Sequence, residues 1–199
     1  MDTVGHWDDI YARRATTALS WYQPVPHKSL RLVTDAVSSG HVADVGAGAS
    51  GLAANLITRG YRVTLVDISH NVLDMDRNQI GQAADYVESD ILDWKPADQV
   101  DCWHDRAFFH FLVDRSDQAR YAAKAAEAVA PGGALVMGVF AADGPTSCSG
   151  LPTAGHEADD LAGLFASAFD LERAEREEHL TPGGIIQPFT WTVFRRTRS

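Results

Sequence analysis

The sequence predicts an α/β fold: a mostly parallel sheet of seven strands with helices on both faces and an antiparallel hairpin at the C-terminal end. Three observations carry that expectation. From Val42 onward short apolar runs alternate with helical stretches, the pattern of a parallel sheet covered on both sides. The first run, Val42-Ala43-Asp44-Val45, stops in Gly46-Ala47-Gly48-Ala49-Ser50-Gly51 and passes into Leu52–Ile57, so that strand, tight turn and helix follow one another. The last two runs flank Thr181-Pro182-Gly183-Gly184, a turn suited to a hairpin or an antiparallel neighbour.

Residues 1 to about 38 read as two helices joined by an aromatic loop. Trp7-Asp8-x-x-Tyr11 and Ser20-Trp21-Tyr22-Gln23-Pro24 concentrate large rings there, and Pro24 and Pro26 stiffen the exit before a helix beginning near His27. Tyr61–Asp67 is the second strand, and Ser69 caps a helix through about Gln79. Ala84–Ser89, a third strand, ends in Asp90-Ile91; Val100–Trp103, a fourth, ends in His104-Asp105-Arg106. An alanine-rich helix from Ser116 to Ala130 stops at Pro131-Gly132-Gly133, which launches the fifth strand, Ala134–Phe140. A helix near Glu157–Ala168, a strand at Phe169–Glu177 and a last strand at Phe189–Phe194 complete the chain. The charged stretch Glu172–Glu178 reads as a solvated side.

A length of 199 residues, 45% hydrophobic and 22% charged, suits one globular domain, 1–199, with 1–38 as an N-terminal helical part and 42–199 as the core. Seventeen basic against twenty-seven acidic residues give a net charge of −10, which repels phosphate backbones and anionic lipid. Neither nucleic acid nor membrane is the expected partner. Met1–His6 has no basic or apolar region of a leader, and the longest apolar run, Ala134–Ala142, is too short to span a bilayer. Cys102 and Cys148 fit a reducing compartment, and the expected location is cytoplasmic.

The glycine turn admits two chemistries. Glycine at 46 and 48 lets the backbone take positive φ and come close to a ligand, and Ser50 can cap the helix that follows. Gly46-x-Gly48-x-x-Gly51 with Asp67 at the next strand end satisfies a dinucleotide fingerprint, as in an NAD-dependent oxidoreductase. The competing pattern puts an acid, Asp44, two residues ahead of the first glycine. Asp44-x-Gly46-x-Gly48, the Pro131-Gly132-Gly133 turn before the fifth strand and the closing hairpin resemble the class I S-adenosylmethionine (SAM)-dependent methyltransferases, a Rossmann-like fold, over Val42–Arg195. Trp-Asp-x-x-Tyr followed by Ser-Trp-Tyr is similar to the opening of several groups in that family, where it forms a lid over the sulfonium; plain attachment of the helices to the sheet explains the same rings. A binding module that keeps the fold without catalysis stays open as well.

The resemblance implies a set of roles. The cofactor is SAM, leaving as S-adenosylhomocysteine (SAH). The backbone of Gly46, Ala47 and Gly48 would lie against its methionine part above Asp44, Asp67 would accept the ribose hydroxyls, and Asp90 the adenine amino group, with Ile68 and Ile91 against the ring. Trp21 and His104 complete the cofactor contacts; Tyr11, Trp21, Tyr22, Arg106 and Cys148 would meet the acceptor; His104, His110 and Tyr22 are the catalytic candidates. Either histidine can orient or deprotonate an acceptor, or equally satisfy local backbone groups. No third ligand lies at metal-binding spacing, and the Asn/Asp-Pro-Pro-Tyr/Phe tetrapeptide of base and glutamine methyltransferases is missing after strand four. The expected acceptor is a small molecule, with protein lysine as the alternative, and the expected assembly a monomer or homodimer.

Overall fold

The computed structural model describes residues 3–198. Helix α1 (Thr3–Arg13) and α2 (His27–Ala36) lead into β1 (His41–Val45), α3 (Leu52–Ile57), β2 (Arg62–Asp67), α4 (His70–Ile80) and β3 (Asp85–Glu88). β4 (Val100–Arg106), α5 (Arg115–Ala128) and β5 (Val129–Phe140) follow. A two-residue ribbon, β6 (Ser147–Cys148) with β7 (Leu151–Pro152), precedes α6 (Ala158–Phe165), β8 (Phe169–Leu180) and β9 (Ile186–Arg196). The seven-stranded sheet has the order β3-β2-β1-β4-β5-β9-β8. β1 to β5 are parallel, and β9 runs antiparallel to both of its neighbours.

Burial on both faces explains why the central strands are apolar almost throughout. Val42, Val63, Leu65, Cys102 and Val136 pack under α2, α3 and α4, through Leu32, Val33, Leu52, Leu56, Val72 and Leu73. Ala43, Val45, Val66, Trp103, Leu135 and Met137 pack under α5 and α6, through Tyr121, Ala125, Leu161 and Phe165. The period of two therefore puts Val42 and Asp44 on one face and Ala43 and Val45 on the other. β8 is the exposed edge, and its run of charges from Glu172 to Glu178 keeps that edge from pairing with another strand. Lys28 and Arg31 of α2 both reach Glu175 on it, at 3.0 and 2.7 Å.

The predicted elements all form, with local shifts. Ser69 is the N-cap of α4, as the sequence implies. α3 instead has Gly51 at its N-cap, while the hydroxyl of Ser50, one residue earlier, accepts from the Leu52 N–H at 3.1 Å. Pro131-Gly132-Gly133 lies within an irregular first section of β5, where the register against β4 shifts between Val100 and Cys102. After β4 the chain turns through Ala107, at φ 67°, into a single 3-10 turn at Phe109–Phe111, so His110 is not on an α-helix.

Candidate active site

The C-terminal ends of β1, β2 and β4 open into a cavity of about 380 Å³, beside the point where the chain changes faces of the sheet. Gly46 and Gly48 take φ of 58° and 55° there, which confines those positions to glycine in practice. A side-chain carbon at Gly46 would stand 2.6 Å from the Phe108 Cβ; one at Gly48 would stand 3.1 Å from the Tyr11 hydroxyl. Asp67 ties this turn to the end of β2: its two oxygens accept from the N–H of Gly48 at 3.0 Å and of Ser69 at 2.9 Å. Burial pushes its carboxyl up to about 6, against the pull of those amides. With about four acceptor positions on its two oxygens, the carboxylate keeps capacity for a ligand beyond its backbone amides. Asp90 is exposed at the cavity's edge and accepts from the Leu92 N–H at 2.9 Å, and Ile91 beside it is buried.

Aromatic side chains from α1 and the loop after it form the roof. Trp21 lies edge-on to Trp7 and Tyr11, with centroids 5.9 and 6.3 Å away, and Trp7 meets Phe111 at 5.2 Å. α1 is pinned to the start of α4 by Asp8, which accepts from the Ser69 hydroxyl at 2.6 Å. The loop is held by its main chain. Arg106 Nη1 donates to the Trp21 carbonyl and His179 Nε2 to the Ser20 carbonyl, both at 2.7 Å, while Gln23 donates to His179 Nδ1 at 3.3 Å.

β4 supplies the polar groups of the other half. The register pairs His104 with Asp44, so both side chains leave the sheet on the same face, and Nδ1 of His104 donates to Asp44 Oδ1 at 2.7 Å. The two residues are 2% and 3% exposed, and His104 Nε2 has no partner. When the ring is neutral the carboxylate can only accept, so the proton lies on Nδ1 and Nε2 is left with its lone pair. His110 is the reverse case. Its Nδ1 accepts from the Phe140 N–H at 3.3 Å, its ring stacks on Phe140 with centroids 4.0 Å apart, and burial holds its pKa down to about 3. The neutral ring then carries its proton on Nε2, which is buried and unpartnered. His110 is a donor, not a base.

The strand end is fixed from the opposite face. Asp105 accepts from the N–H groups of Phe108 and Phe109 at 3.2 and 3.3 Å and from the Tyr121 hydroxyl, which itself accepts from Trp103 Nε1 at 2.8 Å. Alternation along β4 thus sends His104 and Arg106 to the cavity and Asp105 to the core.

Of the residues singled out in the sequence, Asp44, Gly46, Ala47, Gly48, Asp67, Ile68, Asp90, Ile91, Tyr11, Trp21, His104, Arg106, His110 and Cys148 all line this cavity. Tyr22 does not; it is half-buried against the core beneath the roof. Asp44 does more than underlie the turn, since it is bonded to His104. Phe140 and Phe189 escaped the sequence reading. Phe189 shares the inward face of β9 with Trp191 and Val193, an alternation legible in principle, but nothing local says that it borders a site. Among the described residues no group of three or more His, Cys, Asp or Glu side chains is placed to hold a metal ion.

Residues 42–133 match the family model described as Methyltransferase domain. No curated protein matches the chain. Solved structures share the fold over its whole length at low identity. A protein from work on the conversion of a disulfide bond into a thioacetal group during echinomycin biosynthesis is 20% identical, with 99% of this chain and 94% of that one covered and a TM-score of 0.78. The Burkholderia thailandensis 1,6-didemethyltoxoflavin-N1-methyltransferase, solved with 1,6-didemethyltoxoflavin and SAH, is 18% identical over 98% and 84%, with a TM-score of 0.73. N-methyltransferase NodS from Bradyrhizobium japonicum WM9 is 14% identical over 99% of both chains, at 0.71. The sheet is the Rossmann-like methyltransferase sheet, with its antiparallel C-terminal strands. Taken with the matched segment and the glycine turn, it makes the chain similar to SAM-dependent methyltransferases.

Proposed function

We propose that this chain is a SAM-dependent methyltransferase that methylates a small-molecule nucleophile, with Asp44 and His104 acting as an oriented base. The observation that carries the reading is the buried, unpartnered Nε2 of His104, backed by a carboxylate, on a residue that lines a cavity of about 380 Å³, a volume in the range of small-molecule sites. The residues fit SAM. A turn bare of side chains at Gly46 and Gly48 leaves room for its methionine part, and Asp67 retains lone pairs for the ribose hydroxyls, each charge-assisted bond being worth about 1.5–3 kcal/mol. Asp90 with Ile68 and Ile91 would hold the adenine.

Bound there, SAM supplies an already activated methyl group on a sulfonium. The protein's own part is geometry, dryness and proton removal. Trp7, Trp21, Phe108 and Phe111 exclude water from above, and His104 Nε2 takes the acceptor's proton while the Asp44 carboxylate stabilises the imidazolium that results. Residues 3–36 serve as both lid and packing, because the same rings line the cavity and rest on the core. We read the whole chain as one catalytic domain, monomeric or homodimeric. Both cysteines are free, in keeping with a reducing, cytoplasmic setting, and no helix among the described residues is long and apolar enough to cross a membrane.

Calorimetric titration with SAH and with NAD, followed by a labelled-methyl screen over thiols, halides, phenols, amines and carboxylates, tests this. SAH is expected to bind and NAD not to. Heat from NAD alone restores the oxidoreductase alternative, and SAM bound but never consumed would make the chain a binding module.

A further inference from the structure

Arg106 is a cation without an anion. Its Nη1 is spent on the Trp21 carbonyl, but Nε and Nη2 are shut off from solvent and have no partner. Among the described residues no carboxylate forms an ion pair with it: the nearby acids are engaged elsewhere, Asp44 with His104 and Glu177 with the Trp191 indole N–H at 2.6 Å. Leaving charged donors buried and unpaired is costly enough that such a group is normally matched by a partner. Nε–H and Nη2–H lie on one edge of the guanidinium and form the fork that fits a carboxylate two-point. The bond from Nη1 to the roof fixes which way this fork turns.

The position points to the acceptor and away from the cofactor. β4 is adjacent to β1 and the glycine turn, yet the guanidinium reaches across β5 to lie 5.7 Å from the centre of the Phe189 ring on β9. His110 stands on the same ring, at 6.4 Å, and offers Nε2–H, a second donor without a partner. Phe140, Phe189 and Cys148 supply the apolar walls. Two donor groups converge here, and no carboxylate is paired with either of them.

We propose that Arg106 and His110 form an anion subsite, and that the acceptor carries a carboxylate or a comparable oxyanion, held there with its nucleophilic atom toward His104. This rests on the methyltransferase reading above. It also argues against a protein lysine as acceptor, because an ammonium would have to approach a buried guanidinium.

The test is binding to the SAH-saturated enzyme, followed by tryptophan fluorescence. The probes are benzoate, phenylphosphonate, benzamide and benzylamine. Benzoate or phenylphosphonate is expected to bind at least ~10-fold more tightly than benzamide, one charged hydrogen bond or more, and benzylamine weakest. Arg106→Gln should bring the anions to the level of benzamide, and Arg106→Lys, which keeps the charge and loses the fork, should fall between. SAH affinity, measured in the same samples, should stay within about threefold of the unsubstituted enzyme. Equal binding of benzoate and benzamide by the unsubstituted enzyme overturns the proposal without need of any variant. So does an Arg106→Gln enzyme that loses SAH but keeps 5′-methylthioadenosine, since the fork would then serve the cofactor's own carboxylate. Failure of the unsubstituted enzyme to bind SAH sinks the underlying reading instead, and is seen separately.

Discussion

In the proposed reaction Asp44 and His104 act as one unit, joined by the bond between Nδ1 and the carboxylate. Asp44→Asn preserves shape but removes the anion that holds the imidazole proton on Nδ1, so kcat should fall by roughly 10²–10⁴-fold for acceptors that must lose a proton. The loss should shrink at high pH, where the acceptor ionises unaided, and SAH affinity should change little. An unaltered kcat would remove His104 from the proton path. Neither the bond nor its consequence was visible in the sequence, where Asp44 and His104 are ordinary neighbours of a turn and a strand end. The pairing depends on strand register across sixty residues of chain, which local patterns do not specify. His110 shows the converse: two histidines close in sequence look equivalent, and only the Phe140 amide on Nδ1 separates donor from base.

Among the elements, the roof is where sequence and structure meet most usefully. The rings at 7, 11 and 21 stand out in the sequence because a sheet protein has no need of them before its first strand, and they do border the cavity; Tyr22, from the same cluster, turns away. Direction could not be read there, since the loop has no period to fix it. Trp21→Ala should therefore lower turnover far more than melting temperature, as expected of a closing segment. Tyr22→Ala should do the opposite, because its ring only packs. Parallel losses of rate and stability in both variants would reduce the roof to a structural cover.

At the scale of the whole molecule, the sheet order follows from legible signals: apolar runs of strand length, the Pro-Gly-Gly turn and the paired last strands. The site lies where that order obliges it to lie, at the strand ends beside the switch in faces. What the sequence hid is how many carboxyls the fold buries. Burial, foremost, pushes Asp76 up to about 8 and Asp67 and Asp105 up to about 6, from 3.8. Between about pH 4 and 8 these three carboxyls hold more protons in the native state than in the unfolded chain, so their contribution to stability should decrease as pH rises through that window, while buried His110, held down to about 3, acts in the opposite sense below its ordinary value. Asp76, on α4, is the simplest to test: it is 6% exposed and its Oδ2 has no partner. Asp76→Asn should raise the melting temperature at pH 8.5 by several degrees, at roughly 2–4 °C per kcal/mol, and by much less at pH 5. A larger gain at pH 5 than at pH 8.5 would reverse the sign and refute the assignment.

The latches on the roof, from Arg106 and His179, both grip main-chain oxygens, at Trp21 and Ser20. Every amino acid has such an oxygen. The side chains at these two positions can therefore be exchanged without unfastening the segment, and a change of preferred acceptor, in nature or by directed evolution, is open to the enzyme there at small cost to its architecture.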